Sequence, residues 1–240
     1  ALLESLQVTV PVSTRYFVEI AKLRALRLLV PQVVEAFADA SNAAVDVGPA
    51  DLHIFAEPSR RTETVYAPYV NMLRATTEAM AAVLGGCDAL SIPPYDAALH
   101  PPDAFGLRIA RNTQLILEQE SRFDQVSDPA AGSYYIETLT DRLAQEAWTQ
   151  FQEIEAEGGL LNVLRDGTLQ EQIAETRRER RAAVDEREHV LVGTTHYPSL
   201  DEQRRDDLAH SDGTPSSNAP PVAPLPSPTL DAIQAALRDG

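Results

Sequence analysis

Leu6, Val8, Val10 and Val12 recur at every second position, the alternation of a strand with one buried face. Within a few residues the period changes. Phe17, Ile20, Ala21, Ala25 and Leu28 fall on one stripe at helical spacing, and Pro31 inside the same apolar run predicts a kink or a break there. Small residues over 40–50, closed by Gly48-Pro49, read as a loop. Residues 52–56 are a second strand and 57–68 its polar connection. Val70, Leu73, Thr77, Met80, Ala81 and Leu84 then share a helical face, and Gly85-Gly86 supplies the stop. Residues 89–92 are a third short strand ended by Pro93-Pro94, and 103–120 a third helix with Phe105, Ile109 and Ile116 on one side.

Strand followed by helix, three times over, predicts right-handed crossovers and a parallel sheet, either open or part of a barrel. The next stretch differs. Leu139, Leu143, Ala147, Phe151 and Ile154 build an amphipathic helix ending at Gly158-Gly159, and a short helix runs on to Gly167. Residues 170–188 are dense in Arg and Glu with few apolar anchors, which reads as a solvated helix face with charges paired one turn apart. Residues 189–194 read as one more strand. Six prolines between Pro215 and Pro228 make 203–229 an extended linker, and 230–240 reads as the start of a short helix leading to a further region. With Ala1 rather than an initiator Met at its start, the chain reads as a fragment cut at both ends.

The chain has 240 residues, 44% of them hydrophobic, enough for a sizeable core in one or two domains. A net charge of −16 argues against a nucleic-acid or anionic-membrane partner. One cysteine, Cys87, excludes an intrachain disulfide and a multi-cysteine metal site, and neither a signal peptide nor a membrane-length apolar run is found, so a cytoplasm-like setting is expected. The glycine pairs at 85 and 158 follow helices, so they are helix stops and not phosphate loops. His53, His100, His189, His196 and His210 are too scattered for a metal-ligand spacing. Asp51 to Ala56 comes close to Asp-x-His-x-x-Gly, a signature that ligates cobalt through histidine. Its last position is Ala, and the His falls inside a predicted strand, so the match reads as coincidence.

Two strand ends remain as candidate sites, at the position where parallel β/α folds place their ligands. At Phe55-Ala56-Glu57-Pro58-Ser59-Arg60-Arg61, Glu57 is a candidate base or hydrogen-bond acceptor, and the arginines are candidate partners for phosphate or carboxylate. A structural Glu57–Arg pair explains the same residues at least as well. Ser91-Ile92-Pro93-Pro94-Tyr95-Asp96 offers a hydroxyl, a phenol and a carboxylate, although two prolines favour a rigid rim over a catalytic loop.

The segments "FVEIAKLRALRLL", "TVYAPYVNMLRATTEAMAAVLGG", "RIARNTQLILEQES", "DPAAGSYYIETLTDRLAQEAW" and "EIEAEGGLLNVL" together resemble the acyl-CoA-binding barrel of the methylmalonyl-CoA mutase family, over about residues 8 to 197. The resemblance implies the second half of a (β/α)8 TIM-type barrel over 1–202, followed by C-terminal helices and the Pro-rich linker. It also implies adenosylcobalamin, held in a partner chain or the complex and not ligated by this stretch. Active chains of the family carry His-x-Gln-Thr-Ser-Gly at one strand end, with His and Gln facing the substrate thioester. Aligned through Pro68-Tyr69, Phe55 stands for the His and Glu57 for the Gln, and Ser59 lies in the same motif. Where active chains have His-Thr-Asn, this chain has Ser91-Ile92-Pro93. An Arg-x-Ser that touches CoA falls on Ser5-Leu6-Gln7.

On that comparison no catalytic set is intact, and Phe55, Glu57, Ser59, Ser91 and Pro93 are degenerate pocket positions. The expected function is the small subunit of a heterodimeric mutase that interconverts methylmalonyl-CoA and succinyl-CoA by a radical 1,2-rearrangement. The chemistry would run in a homologous large catalytic subunit. Two alternatives stay open: an active acyl-CoA mutase whose Phe55 and Ile92 line a pocket for a different acyl group, and a stand-alone barrel scaffold or binding protein.

Overall fold

The computed structural model of the protein describes residues 7–41, 48 and 51–199. Three strand–helix units come first: β1 (Gln7–Val12), α1 (Tyr16–Ser41), β2 (His53–Pro58), α2 (Val70–Leu84), β3 (Ala89–Leu90) and α3 (Ala104–Leu115). The third helix runs on through a π-helical turn (Ile116–Glu120), a short 3-10 turn (Phe123–Gln125) follows, and then come three further α-helices: α4 (Tyr134–Ala156), α5 (Leu160–Asp166) and α6 (Thr168–Asp185). The strands pair in parallel in the order β1-β2-β3, as helical crossovers require. The expected mixed α/β class with a parallel sheet is therefore present. The Pro-rich stretch and the terminal helix expected at 203–240 lie outside the described residues.

The period-2 pattern sorts the two faces of the sheet. Val10, Val12, Ile54 and Ala56 point to one side and pack with Ile20, Leu23, Ala81 and Ala82 in the main core. The other side carries exposed Gln7, Thr9, Pro11 and His53, with Phe55 and Glu57 partly exposed. Burying the first set removes its apolar surface from water, the main favourable contribution to folding.

Two helix faces are turned part-way from the expected ones, although on α2 Ala81 is buried and Met80 and Leu84 pack against the core as expected. On α2 the buried residues are Asn71, Ala75, Glu78, Ala79, Ala81 and Ala82, while Leu73 is 68% exposed and Thr77 is also outside. On the third helix Gly106, Ala110 and Leu117 are buried, while Phe105 and Ile116 are about half exposed. The cause is close packing. A β-carbon on Gly85 would lie 2.8 Å from Leu23 Cδ1, and one on Gly106 would lie 2.4 Å from Asp96 Oδ1. Only small side chains fit so near, so the larger apolar residues are turned outward.

Pro31 does not break α1, which runs through it as one helix. Proline removes one helical hydrogen bond, but Val30 packs on the core and two arginines fasten the helix just ahead of it. Arg24 reaches Asp128 at 2.5 Å and Glu137 at 2.9 Å, tying α1 to the start of α4. Arg27 donates to the Gly86 carbonyl at 2.6 Å, the Leu52 carbonyl at 2.9 Å and Asp88 Oδ2 at 2.6 Å. That same Asp88 oxygen accepts the Ile54 amide at 2.7 Å, so one guanidinium organises the entries to β2 and β3. Replacing Arg27 with methionine leaves these acceptors without their donor, and the expected loss is about 1–2 kcal/mol, measured as a lowered urea midpoint. An unchanged midpoint would show that water replaces the clamp.

The strand expected at 189–194 is not formed. Residues 191–196 make a tight turn with a single bridge between Val192 and His196. Gly193 has φ +82°, and the Thr195 hydroxyl accepts the Leu191 amide at 2.7 Å, which folds the segment back on itself before it can extend. The Arg- and Glu-rich segment is helical as expected, and α6 buries none of its side chains.

Candidate functional site

The sheet brings together three of the five expected pocket positions. Phe55 pairs with Thr9 on one side and Ala89 on the other, and Glu57 pairs with Pro11 one row further along. The Ser91 amide donates to the Ala56 carbonyl at 3.0 Å, which carries the β3 alternation on to Ser91. Phe55, Glu57 and Ser91 thus share the core-free face of the sheet at the carboxyl end of its strands. Phe55 offers no donor, and Glu57, when ionised, only accepts hydrogen bonds.

The other two positions lie elsewhere. Ser59 is buried in a turn: its amide donates to the Val12 carbonyl at 2.7 Å, and its carbonyl accepts the Thr62 hydroxyl at 2.6 Å. Pro93 walls a recess behind the β2 end. Arg60 and Arg61 are exposed on the turn between them. Ile92, considered above as a pocket liner, is instead a core residue packed among Ala75, Ala79, Ala110 and Leu117. Asp96 is structural too. It is 1% exposed, accepts the Asp103 amide at 3.2 Å and sits over Gly106, while Asp103 caps α3 through the Gly106 amide at 2.6 Å. Tyr95 stacks on Tyr69 with ring centres 5.1 Å apart.

The residues at 51–56 do not fit histidine ligation of cobalt. His53 is the first residue of β2, paired with Gln7, and Ala56, the last position of the near-match, is fully buried in the core. Burial pushes the Cys87 thiol up to about 11, with Asp88 adding to the shift, so it is no nucleophile at neutral pH.

The recess holds polar groups that the hydrophobic pattern did not single out. Asn71 accepts the Thr64 amide and donates to the Thr64 carbonyl, both at 2.9 Å, and donates to the Tyr95 carbonyl at 3.0 Å. Arg74 donates to Asn71 Oδ1 at 2.7 Å and Thr64 Oγ1 at 2.9 Å. One turn on, Glu78 is 2% exposed with Oε1 unpartnered, and burial pushes its carboxyl up to about 7. Thr62 and Arg74 oppose that rise, and Glu63 and Glu19 add to it. Asn71, Ala75, Glu78 and Ala82 stand at helical spacing, so two polar residues within a stripe of alanines were the available signal.

The methylmalonyl-CoA mutase family model matches residues 2–219. The chain belongs to the methylmalonyl-CoA mutase family. It is 36% identical over 207 residues to a methylmalonyl-CoA mutase small subunit from Porphyromonas gingivalis, covering 86% of this chain and 33% of that protein. It is 42% identical over 187 residues to a methylmalonyl-CoA mutase small subunit from Streptomyces virginiae, covering 78% and 29%. A protein named methylmalonyl-CoA mutase from Rhizobium meliloti is 40% identical over 197 residues, covering 82% and 27%. The chain therefore spans a third or less of the length of these mutase relatives. The family is one of isomerases, and its relatives carry both the small-subunit name and the plain name of the enzyme.

Proposed function

We propose that this chain is part of the small, non-catalytic subunit of a heterodimeric methylmalonyl-CoA mutase. Its homologous large partner would interconvert methylmalonyl-CoA and succinyl-CoA by a radical 1,2-rearrangement, and the two would work in the cytoplasm. Adenosylcobalamin, bound in the partner, supplies the radical. The observation that carries the reading is the pair Phe55 and Glu57, side by side on the open face of β2. A thioester carbonyl carries partial negative charge; a phenyl ring gives it no donor, and a carboxylate opposes it. The three strand–helix units are read as the second half of a (β/α)8 barrel, with that open face turned to the barrel interior.

Full-length protein assayed with adenosylcobalamin and methylmalonyl-CoA is expected to give no succinyl-CoA alone, and turnover only with the large subunit added. Turnover by the protein alone would sink the non-catalytic reading. Phe55→His with Glu57→Gln is expected to leave the lone protein inactive, because Ser91 and Pro93 also stand where active chains have His and Asn. The rival reading, an active mutase of altered acyl specificity, has Phe55 left as a pocket liner but loses Ile92, which packs in the core.

A further inference from the structure

We propose that the segment 189–197 is a strap latched onto the entry to α2 by Arg74, and that the buried carboxyl of Glu78 competes for the same guanidinium once it is ionised. Arg74 Nη2 donates to the Val192 carbonyl at 2.5 Å while its other nitrogen holds Asn71 and Thr64. The strap lies tight on the entry to α2: a β-carbon on Gly193 would come within 2.7 Å of Ala67 Cβ. Its own bonds are local, Gly193 to His196 at 2.8 Å and Thr194 to Leu191 at 3.0 Å. The His189 amide also ties the start of the strap to the Ala183 carbonyl at the end of α6 at 2.9 Å, whereas the 191–196 turn beyond it rests on its local bonds, its packing at Ala67 and the latch.

Glu78 lies one turn below Arg74 on α2, where side chains four apart meet. The groups that face it are Glu63 from the connection after β2, Glu19 from α1, Arg74 from its own helix and the hydroxyl of Thr62. Glu19 is itself engaged by Lys22 and by Ser13 at 2.5 Å, which leaves Arg74 as the cation able to answer a new charge at Glu78. Thr62 and Arg74 both favour the ionised form of Glu78 against the burial that disfavours it, but Thr62 already donates to the Ser59 carbonyl, so the guanidinium is the group with charge to give. Below neutral pH Arg74 keeps the strap. Above it, the ionised carboxylate has an unmet charge and the guanidinium turns toward it, releasing Val192.

The test is amide hydrogen exchange of the strap in the full-length protein at pH 6 and pH 8, with rates corrected for the intrinsic pH dependence of exchange. Protection of the 191–196 amides is expected to fall at least tenfold from pH 6 to pH 8 in wild type. In Glu78→Gln it is expected to stay high at both, and in Arg74→Ala to be low at both. Amides of α4 serve as the control for global folding. A fall that persists in Glu78→Gln overturns the proposal. Protection in Arg74→Ala equal to wild type at pH 6, or a wild-type strap equally protected at both pH values, overturns it as well.

Discussion

Glu78→Gln makes the protein more stable than wild type at pH 8 and brings no such gain at pH 4.5. The carboxyl titrates at about 7 in the fold against 4.5 when exposed. A group raised in this way stabilises fully below its unfolded value, loses that contribution as pH rises from 4.5 to about 7, and contributes none of it above. The difference corresponds to roughly 3 kcal/mol at about 1.4 kcal/mol for each unit. Glutamine keeps the shape and has no charge to desolvate. Urea unfolding of both proteins at pH 4.5 and pH 8 reads the effect as a gap that opens in favour of the variant. A gap that is the same at both pH values would mean that Glu78 reaches solvent in the folded protein.

Gly106→Ala is expected to destabilise by about 2 kcal/mol, within the range for overpacking a close-packed site. On an exposed helix the same change would stabilise by nearly 1 kcal/mol, so the sign itself is informative. The added methyl would meet Asp96 Oδ1 at 2.4 Å, and that carboxylate is too buried to swing away without giving up the Asp103 amide. Removing the obstacle in Asp96→Ala/Gly106→Ala should restore part of the loss relative to the sum of the single changes, by about 1 kcal/mol or more in a double-mutant cycle. Additive losses would place the carboxylate elsewhere than over Gly106.

The sequence foretold the order of strands and helices as far as α6, because each period is a local property and Val8, Val10 and Val12 or the apolar stripe of α4 need no neighbour to be legible. The strand expected at 189–194 failed because a local turn overrode its pattern. The sequence also misjudged which faces of α2 and the third helix point inward. Large apolar residues such as Leu73 and Phe105 outweigh small ones in any reading by hydrophobicity, yet the space beside Leu23 and Asp96 admits only glycine, without even a β-carbon. Distance between elements, which no single chain segment encodes, decided the matter. The same limit applies at the candidate site. Phe55 and Glu57 are legible from their place at a strand end, whereas Arg74 and Glu78 draw their partners from elements distant in sequence, Val192 for Arg74 and Glu19, Thr62 and Glu63 for Glu78.

The alternation in β2 also guards the fold against its own errors. Parallel strands have no tight turn to fix their register, so the side-chain pattern must oppose a slip by one residue. Such a slip in β2 would send His53, Phe55 and Glu57 toward α1 and α2 and expel Ile54 and Ala56, burying a carboxylate among Ile20, Leu23 and Ala82. A charge at residue 57 therefore penalises mispairing heavily, and this holds whatever the open face of the sheet binds.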